Sequence, residues 1–460
     1  MDTPAFAVLC AVLVLVIFLV VGGGVALAAL SRHRPAGLPM HAESWDRTPT
    51  GAGARGDAAA TWVVVGAGVA AGAFLSSTRH PGLFRVAEAA TRVGGRALTT
   101  VPPITPVSTC TAPREFAAWI FRARPGDRTT DFLRGLGVQS TTINLLTPST
   151  FVWSEEQGRM SLGPLPASPF AAASRTDNSL AMWLAHTGFS PEVAPGAADD
   201  LMREQDVPVR ASVPTGFGWQ DVALRGIGSA RVDYGRLLEG VVPSPDGRTV
   251  TLQYASGDTD TVQGVVLTLP PREMLALPSL PPAARALITS SFITVSEGVL
   301  YATWGGTSTW FSRVGFLEGM VMTTLPVGRI CRTSTGEVRC TTTGNANVAF
   351  WNDLLVVQGA AAAGAAMADQ LRKVFGDPDI PPPDNMAFRG WHDAVGFWTV
   401  PAQRRAAIQA QLARPWGPTV PVFWASSDLS TSPGWVEGAI ESGQVTATAV
   451  DAWLGRPAAP

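Results

Sequence analysis

Residues 62–65, Trp-Val-Val-Val, are four consecutive apolar positions closed by Gly66, too short for a helix and unbroken enough for a strand buried on both faces. Small apolar residues from Val69 onward predict a helix, and Leu83 to Glu88 predicts a second strand. Thr129–Gly137 reads as helical, and Thr150–Trp153 with Arg159–Leu162 as a short hairpin. The stretch 163–215 is rich in proline and alanine, with helical patches such as Leu180–His186. Period-two alternation then predicts a meander of Arg236–Val242, Thr249–Tyr254 and Thr261–Leu269, turning at Pro245-Asp-Gly247 and Ser256-Gly-Asp258. Its last part, Val265–Leu269 before Pro270-Pro271, predicts a buried strand that rejoins the sheet of residues 62–65. Strands are expected at Val295–Thr303 and Phe316–Thr324, a hairpin around Cys331 and Cys340, and an alanine-rich helix at Leu354–Phe375. The strand at Val420 leads to Ser432, a good N-cap, and Pro433, suited to a first turn, so a helix is expected from there to Leu454.

The N-terminus has a different pattern. Ala5–Leu30 carries no charge and is long enough to cross a bilayer. A secretory signal is the rival reading, but Met1-Asp2-Thr3-Pro4 has an acid and no base, which favours an uncleaved anchor at residues 1–30. Arg32 and Arg34 then place the folded part on the cytosolic side, beyond a linker at 31–60. Cys331 and Cys340 are symmetric about Thr335-Gly336. A two-residue turn there sets the thiols opposite each other, and a disulfide suits an oxidising compartment. Two free thiols are the equal alternative, and the side of the membrane stays open. Cys10 and Cys110 have no evident partner, and no metal-ligand spacing is visible. A net charge of −2 gives no reason to expect nucleic acid.

Candidate chemistry sits at the two ends of the folded region. Gly66 and Gly68 allow a tight turn and close approach to a pyrophosphate on the next helix's N-terminus, with Ala71 at the position of a third glycine. Glu88 stands where a carboxylate receives a ribose diol, and Gly94-Gly95-Arg96 forms a second glycine turn. This order predicts a dinucleotide site. At the other end, free amides near Trp435 and Val436 would favour a negative charge.

Together the two blocks resemble the flavin-containing amine oxidase superfamily, which includes monoamine, polyamine and L-amino-acid oxidases. The resemblance implies an α/β fold: a Rossmann-like FAD-binding domain with a parallel sheet (about 61–110, 215–275 and 415–455) and a mixed α+β substrate domain (about 111–214 and 276–414), preceded by the transmembrane helix. It implies FAD on Gly66, Gly68, Ala71, Glu88, Gly94, Gly95 and Arg96, with Ser426, Trp435 and Val436 at the flavin. Phe397, where some members carry a flavin-linked cysteine, implies non-covalent FAD. Trp398 and Trp435 match the aromatic walls that flank the substrate amine, although each also fits a core. Arg114, in Thr111-Ala-Pro-Arg114, resembles the carboxylate-binding arginine of the L-amino-acid branch, with an ordinary surface arginine as the alternative.

Departures accompany the likeness. The family's lysine against flavin N5 is replaced by Glu297 or Gly298, and the chain's single lysine is Lys373. Ala425-Ser426 stands for the usual Gly-Glu pair, and Ala90 for a common arginine. The expected activity is hydride transfer from an amine or amino acid to FAD. The alternative is a catalytically impaired relative with a structural or binding role.

Overall fold

A computed structural model describes residues 61–100, 114–121, 128–144, 147, 150–155, 158–161, 210–305, 310–334, 336–400 and 402–455. The chain divides into Met1–Arg47 and Thr48–Pro460, and all described residues lie in the second unit. The expected anchor Ala5–Leu30, the linker, Cys10, Cys110, Thr111–Pro113 and Leu180–His186 fall outside them. Among the described residues no helix is long and apolar enough to cross a membrane.

The first apolar run forms β1 (Trp62–Val65), followed by α1 (Val69–Ser77) and β2 (Phe84–Ala87). A two-stranded ribbon of β3 (Thr99–Thr100) and β4 (Arg114–Glu115) comes next. Then follow α2 (Arg128–Gly135), β5 (Ser140–Asn144) and the hairpin β6 (Phe151–Ser154) and β7 (Gly158–Ser161). β8 (Arg210–Pro214) pairs with β5, and α3 (Trp219–Ile227) leads to β9 (Val232–Asp233). The meander is β10 (Leu238–Pro243), β11 (Val250–Tyr254) and β12 (Thr259–Val262), and β13 (Gly264–Leu267) returns to the sheet as expected. The C-terminal block supplies β19 (Val422–Trp424), completing a parallel sheet in the order β19-β13-β1-β2-β9.

Both faces of this sheet are covered, which explains the unbroken apolar runs. Val63, Val65, Val265, Leu267, Val422 and Trp424 enter the core shared with the meander. Trp62, Val64, Val266 and Phe423 point the other way, toward α1 and the final helix, α7 (Val436–Leu454). A Cβ at Gly443 would sit 2.5 Å from Ala70 O, and one at Gly72 would sit 2.8 Å from Ala223 O. Small residues therefore let α7 and α3 close directly on α1.

The second large sheet begins with β14 (Phe292–Thr303), β15 (Met320–Thr323), β16 (Arg329–Ser334) and β17 (Glu337–Thr343). After α4 (Asn345–Asn352) and α5 (Ala360–Phe375), β18 (Asn385–Trp398) completes the order β18-β14-β17-β16-β15-β6-β7. A further helix, α6 (Ala402–Leu412), precedes β19. The helix expected at Leu354–Phe375 is interrupted because Gly359, at φ +89°, starts α5 afresh. One face of this sheet, with Leu300, Ala302, Val321, Ile330, Val338 and Cys340, packs on Ala363, Met367 and Leu371 of α5. By register the other face carries Glu297, Tyr301, Arg329, Arg339 and Trp391.

The hairpin corrects the disulfide expectation. A register shift between Arg332 and Ser334 sets Cys340 opposite Ile330 and Cys331 opposite Arg339. One extra residue on β16 reverses side-chain parity, so the two sulfurs belong to opposite faces. Both thiols are free and buried. Burial pushes Cys331 up to about 11 and Cys340 well above its ordinary value, so neither is a reactive thiolate near neutral pH.

Candidate active site

The two glycine turns meet at the end of β1. Gly66, at φ +96°, donates its N–H to Ala87 O at 2.8 Å, and a Cβ there would lie 2.6 Å from Thr268 Oγ1. Gly94, at φ +107°, donates to Ala67 O at 2.7 Å and forms a parallel bridge with Gly68. Gly95 is also at positive φ, and a Cβ on it would lie 3.5 Å from Gly68 Cα. Gly68 is the N-cap of α1 and offers no side-chain cap, so the helix's first amides and dipole end are open to an anion. A Cβ on Gly68 would have Gly94 O, at 3.8 Å, as its nearest neighbour. Ala71 is fully buried one turn on, in the core beneath β1.

Glu88 follows β2 and is buried. Its Oε2 accepts from Ala67 N at 2.7 Å and its Oε1 from Ala90 N at 2.8 Å. Burial raises its pKa, opposed by those amides and by Arg92. The absent arginine at position 90 is thus offset by a backbone N–H, and the carboxylate is fixed beside the glycine turn.

Arg96 joins the N-terminal turn to the C-terminal block. Its guanidinium donates to Ala394 O on β18 and to Ser427 Oγ at 2.9 Å, and lies 3.8 Å from Asp428 Oδ2. Asp428 is completely buried and accepts from Gly396 N and from Ser426 Oγ, each at 2.8 Å. Ser426 is itself held through its N–H on Ser442 Oγ at 2.9 Å. Ala425-Ser426 lacks the acid of the family's usual Gly-Glu pair. A buried acid, Asp428, is present two residues later, and its sequence signal is a single aspartate four residues beyond an apolar strand.

The helix facing this block starts later than expected. Its N-cap is Trp435, without a side-chain cap, rather than Ser432. Gly434, at φ +80°, breaks the chain out of helical geometry before Val436 can begin α7. Trp435 is half-buried, with its backbone N–H donated to Ser432 O at 3.4 Å, and Val436 is buried.

Two expected residues, Trp398 and Arg114, take other environments, and Glu297 sits on the polar face of the second sheet. Trp398 has no exposed surface: its ring is 4.3 Å from that of Phe292, and its indole N–H donates to Ser430 O at 3.3 Å. It fills the core that includes Trp424 instead of walling a substrate cavity. Arg114 is also buried, its Nε 2.8 Å and its terminal nitrogen 2.5 Å from Glu337 Oε2. The carboxylate it grips belongs to the protein, so a substrate carboxylate would have to displace a buried ion pair. Glu297 lies on β14 opposite Thr343 and Trp391, next to a register shift after Val295. It is partly exposed, yet burial raises its pKa against the pull of Arg329, Arg339 and Arg96. Lys373 is remote in role, on the surface 3.4 Å from Glu155.

Sequence reasoning also missed Glu115. Its carboxyl accepts from Thr99 Oγ1 and from Trp219 N, each at 3.0 Å, and burial pushes its pKa from 4.5 to about 8. Between those values the folded chain keeps a proton that the unfolded chain has released. Stability is therefore full below pH 4.5 and falls as pH rises toward 8. Glu115→Gln removes this dependence: urea unfolding at pH 5 and pH 8 should show the variant gaining on the parent by roughly 3 kcal/mol across that interval. An unchanged gap between the two at both pH values would rule the effect out.

Comparison with known proteins agrees with this geometry. Residues 219–451, just over half of the chain, match the family described as flavin containing amine oxidoreductase. A search of curated proteins finds no match. Among solved structures, cyclohexylamine oxidase from Brevibacterium oxydans IH-35A superposes with TM-score 0.65 at 18% identity, covering 86% of this chain and 100% of that one. Wild-type putrescine oxidase bound to putrescine gives TM-score 0.59 at 17% identity, covering 85% and 99%. The glycine turns at 66–96 precede the matched residues, and the parallel sheet joins them to strands within the match. The fold is that of the FAD-binding amine oxidases, the family implies a flavin cofactor, and the chain belongs to the flavin-containing amine oxidoreductases.

Proposed function

We propose that the protein is an FAD-dependent oxidoreductase that takes a hydride from a small amine or amino acid, anchored to a membrane by Ala5–Leu30. The observation that carries this reading is the convergence of Gly66–Gly68, Gly94–Arg96 and Ser426–Asp428, linked through Arg96. The residues present fit FAD. The missing Cβ of Gly68 leaves open space in front of uncapped α1, and Glu88 is fixed where a ribose would lie. Gly66 and Gly68 would hold the pyrophosphate, with Ala71 keeping α1 close to the sheet, and the Gly94-Gly95-Arg96 turn would run along the pyrophosphate toward the flavin. Ser426 and the N-terminal end of α7 at Trp435 and Val436 would face the flavin end. Bound FAD supplies the hydride acceptor, and α7's N-terminus favours the negative charge of its reduced form. Phe397 provides no nucleophile, so the cofactor is held without a covalent bond. Strands from 62–87, 232–267 and 422–424 build the parallel sheet, which supports a discontinuous FAD domain with the second sheet as substrate domain.

Glu297 in place of a lysine, and Trp398 in the core, favour a second reading in which catalysis is impaired and binding retained. Spectral titration of the full chain with FAD separates the two. Anaerobic addition of an amine and amino-acid panel should bleach the flavin band. A yellow protein that no member of the panel bleaches would overturn the oxidase reading in favour of the binding one.

A further inference from the structure

The polar face of the seven-stranded sheet carries many charged groups, and most are engaged. Arg114 holds Glu337, and Glu115 is held by Thr99 and Trp219. Arg339 donates to Thr341 Oγ1 at 2.6 Å, Glu115 O at 3.3 Å and Ala117 O at 3.1 Å. Arg389 stacks over Trp391 at 4.5 Å.

Glu297 and Arg329 are different. Register puts both on this face, Glu297 opposite Thr343 on β17 and Arg329 opposite Thr341 on the same strand. Both are half-buried. Among the described residues neither makes an ion pair or a side-chain hydrogen bond, and they do not touch each other, yet the positive charge of Arg329 favours ionisation of Glu297 against its burial. β17 lies between them and their partners on it are two residues apart, so their backbones are about 12 Å apart, a gap that side chains on one face can narrow. Partly desolvated opposite charges left apart on one surface attract a ligand that carries both signs at matching separation. Arg96, of the second glycine turn, donates to Ala394 O on β18, the strand paired with β14 beside Glu297, so this end of the face lies toward the proposed flavin site.

We infer that Glu297 and Arg329 are the two poles of a subsite for a zwitterionic amino acid, its ammonium on Glu297 and its carboxylate on Arg329. The arginine offers a planar fork that a carboxylate engages with two hydrogen bonds. Burial disfavours a lone charge on Glu297, and a neighbouring ammonium removes that penalty. This narrows the proposed substrate from amines in general to amino acids and rests on that reading only for what happens after binding.

Calorimetric titration of the FAD-loaded full chain with each common L-amino acid and its carboxamide tests the subsite. At least one amino acid should bind 10-fold or more tighter than its carboxamide, with Arg329→Met erasing the preference and Arg329→Lys keeping part of it. Glu297→Gln should weaken the amino acid and leave the acid-to-amide ratio in place. Equal binding of acid and amide by the parent, no binding of any amino acid, or a preference that survives in Arg329→Met would each overturn the inference. Should Arg329→Met not fold, the parent's acid-to-amide comparison decides alone. Bleaching by amines without amino-acid preference would sink the subsite and leave the oxidase. Arg329-dependent binding without bleaching would do the reverse.

Discussion

Gly68→Val is expected to yield a folded protein that has lost its flavin. Gly68 has φ −85° and ψ −174°, an extended conformation open to any residue, so the substitution adds no backbone strain. Its new Cβ would meet only Gly94 O, at ordinary contact distance. The valine methyls therefore enter the space between the two glycine turns and α1's open amides, which is where a pyrophosphate must approach. Steric exclusion there should cost at least about 100-fold in FAD affinity, roughly 2.7 kcal/mol, while the melting temperature of the flavin-free protein stays near the parent's. Flavin absorbance per mole of purified protein and a fluorescence titration with FAD read the two effects separately. Gly94→Val is the instructive contrast. Its φ of +107° and the closeness of Ala97 O mean that a side chain there damages the turn itself, so loss of flavin would come with loss of fold. A Gly68→Val protein that purifies yellow at the parent's stoichiometry would remove this turn from the cofactor site.

The features legible in the sequence were those encoded over a few adjacent residues. Trp62–Val65 and Val265–Leu267 announce strands covered on both faces because no polar residue interrupts them, and the sheet pairs them in parallel. Glu88 was placed by its spacing from Gly66, and it does reach back to Ala67 N. What escaped depends on parity or on distant partners. Thr333 adds a single residue to β16, which no hydropathy pattern reveals, and that residue moves Cys331 and Cys340 to opposite faces. Gly434 delays α7 by three residues although Ser432 and Pro433 carry every local sign of a helix start. Trp398 reads equally well as a cavity wall or a core residue until β18 is registered on β14, which sets it opposite Phe292. Asp428 carries no local mark of its role, because the family's usual acid position is Ser426, two residues earlier, and its burial against Gly396 N alone makes it part of the same junction.

The Arg114–Glu337 pair joins residues more than two hundred positions apart and makes the strongest stability prediction. Arg114→Ala is expected to destabilise the protein by about 3–5 kcal/mol, because it leaves Glu337 ionised and buried with Thr333 Oγ1, at 2.8 Å, as its remaining side-chain partner. Glu337→Ala should cost a similar amount by stranding the guanidinium over the Tyr301 ring, 5.5 Å from its centroid. The double variant Arg114→Met with Glu337→Leu removes both charges and fills the space, so it should recover most of the loss, and the cycle should return a coupling of several kcal/mol. Chemical denaturation of the four proteins measures this without reference to activity. A substrate-binding arginine would behave oppositely: Arg114→Ala would keep the parent's stability and lose affinity for amino acids alone, and that outcome would return the residue to the role its sequence context first implied. The ion pair also fixes β4 against β17 beside Tyr301 and Arg339, so the folded Arg114→Ala protein should hydrate Glu115, lower its raised pKa and weaken the pH dependence. Coupling between Arg114→Ala and Glu115→Gln in the pH 5 to pH 8 interval is the expected sign that these buried charges act as one unit.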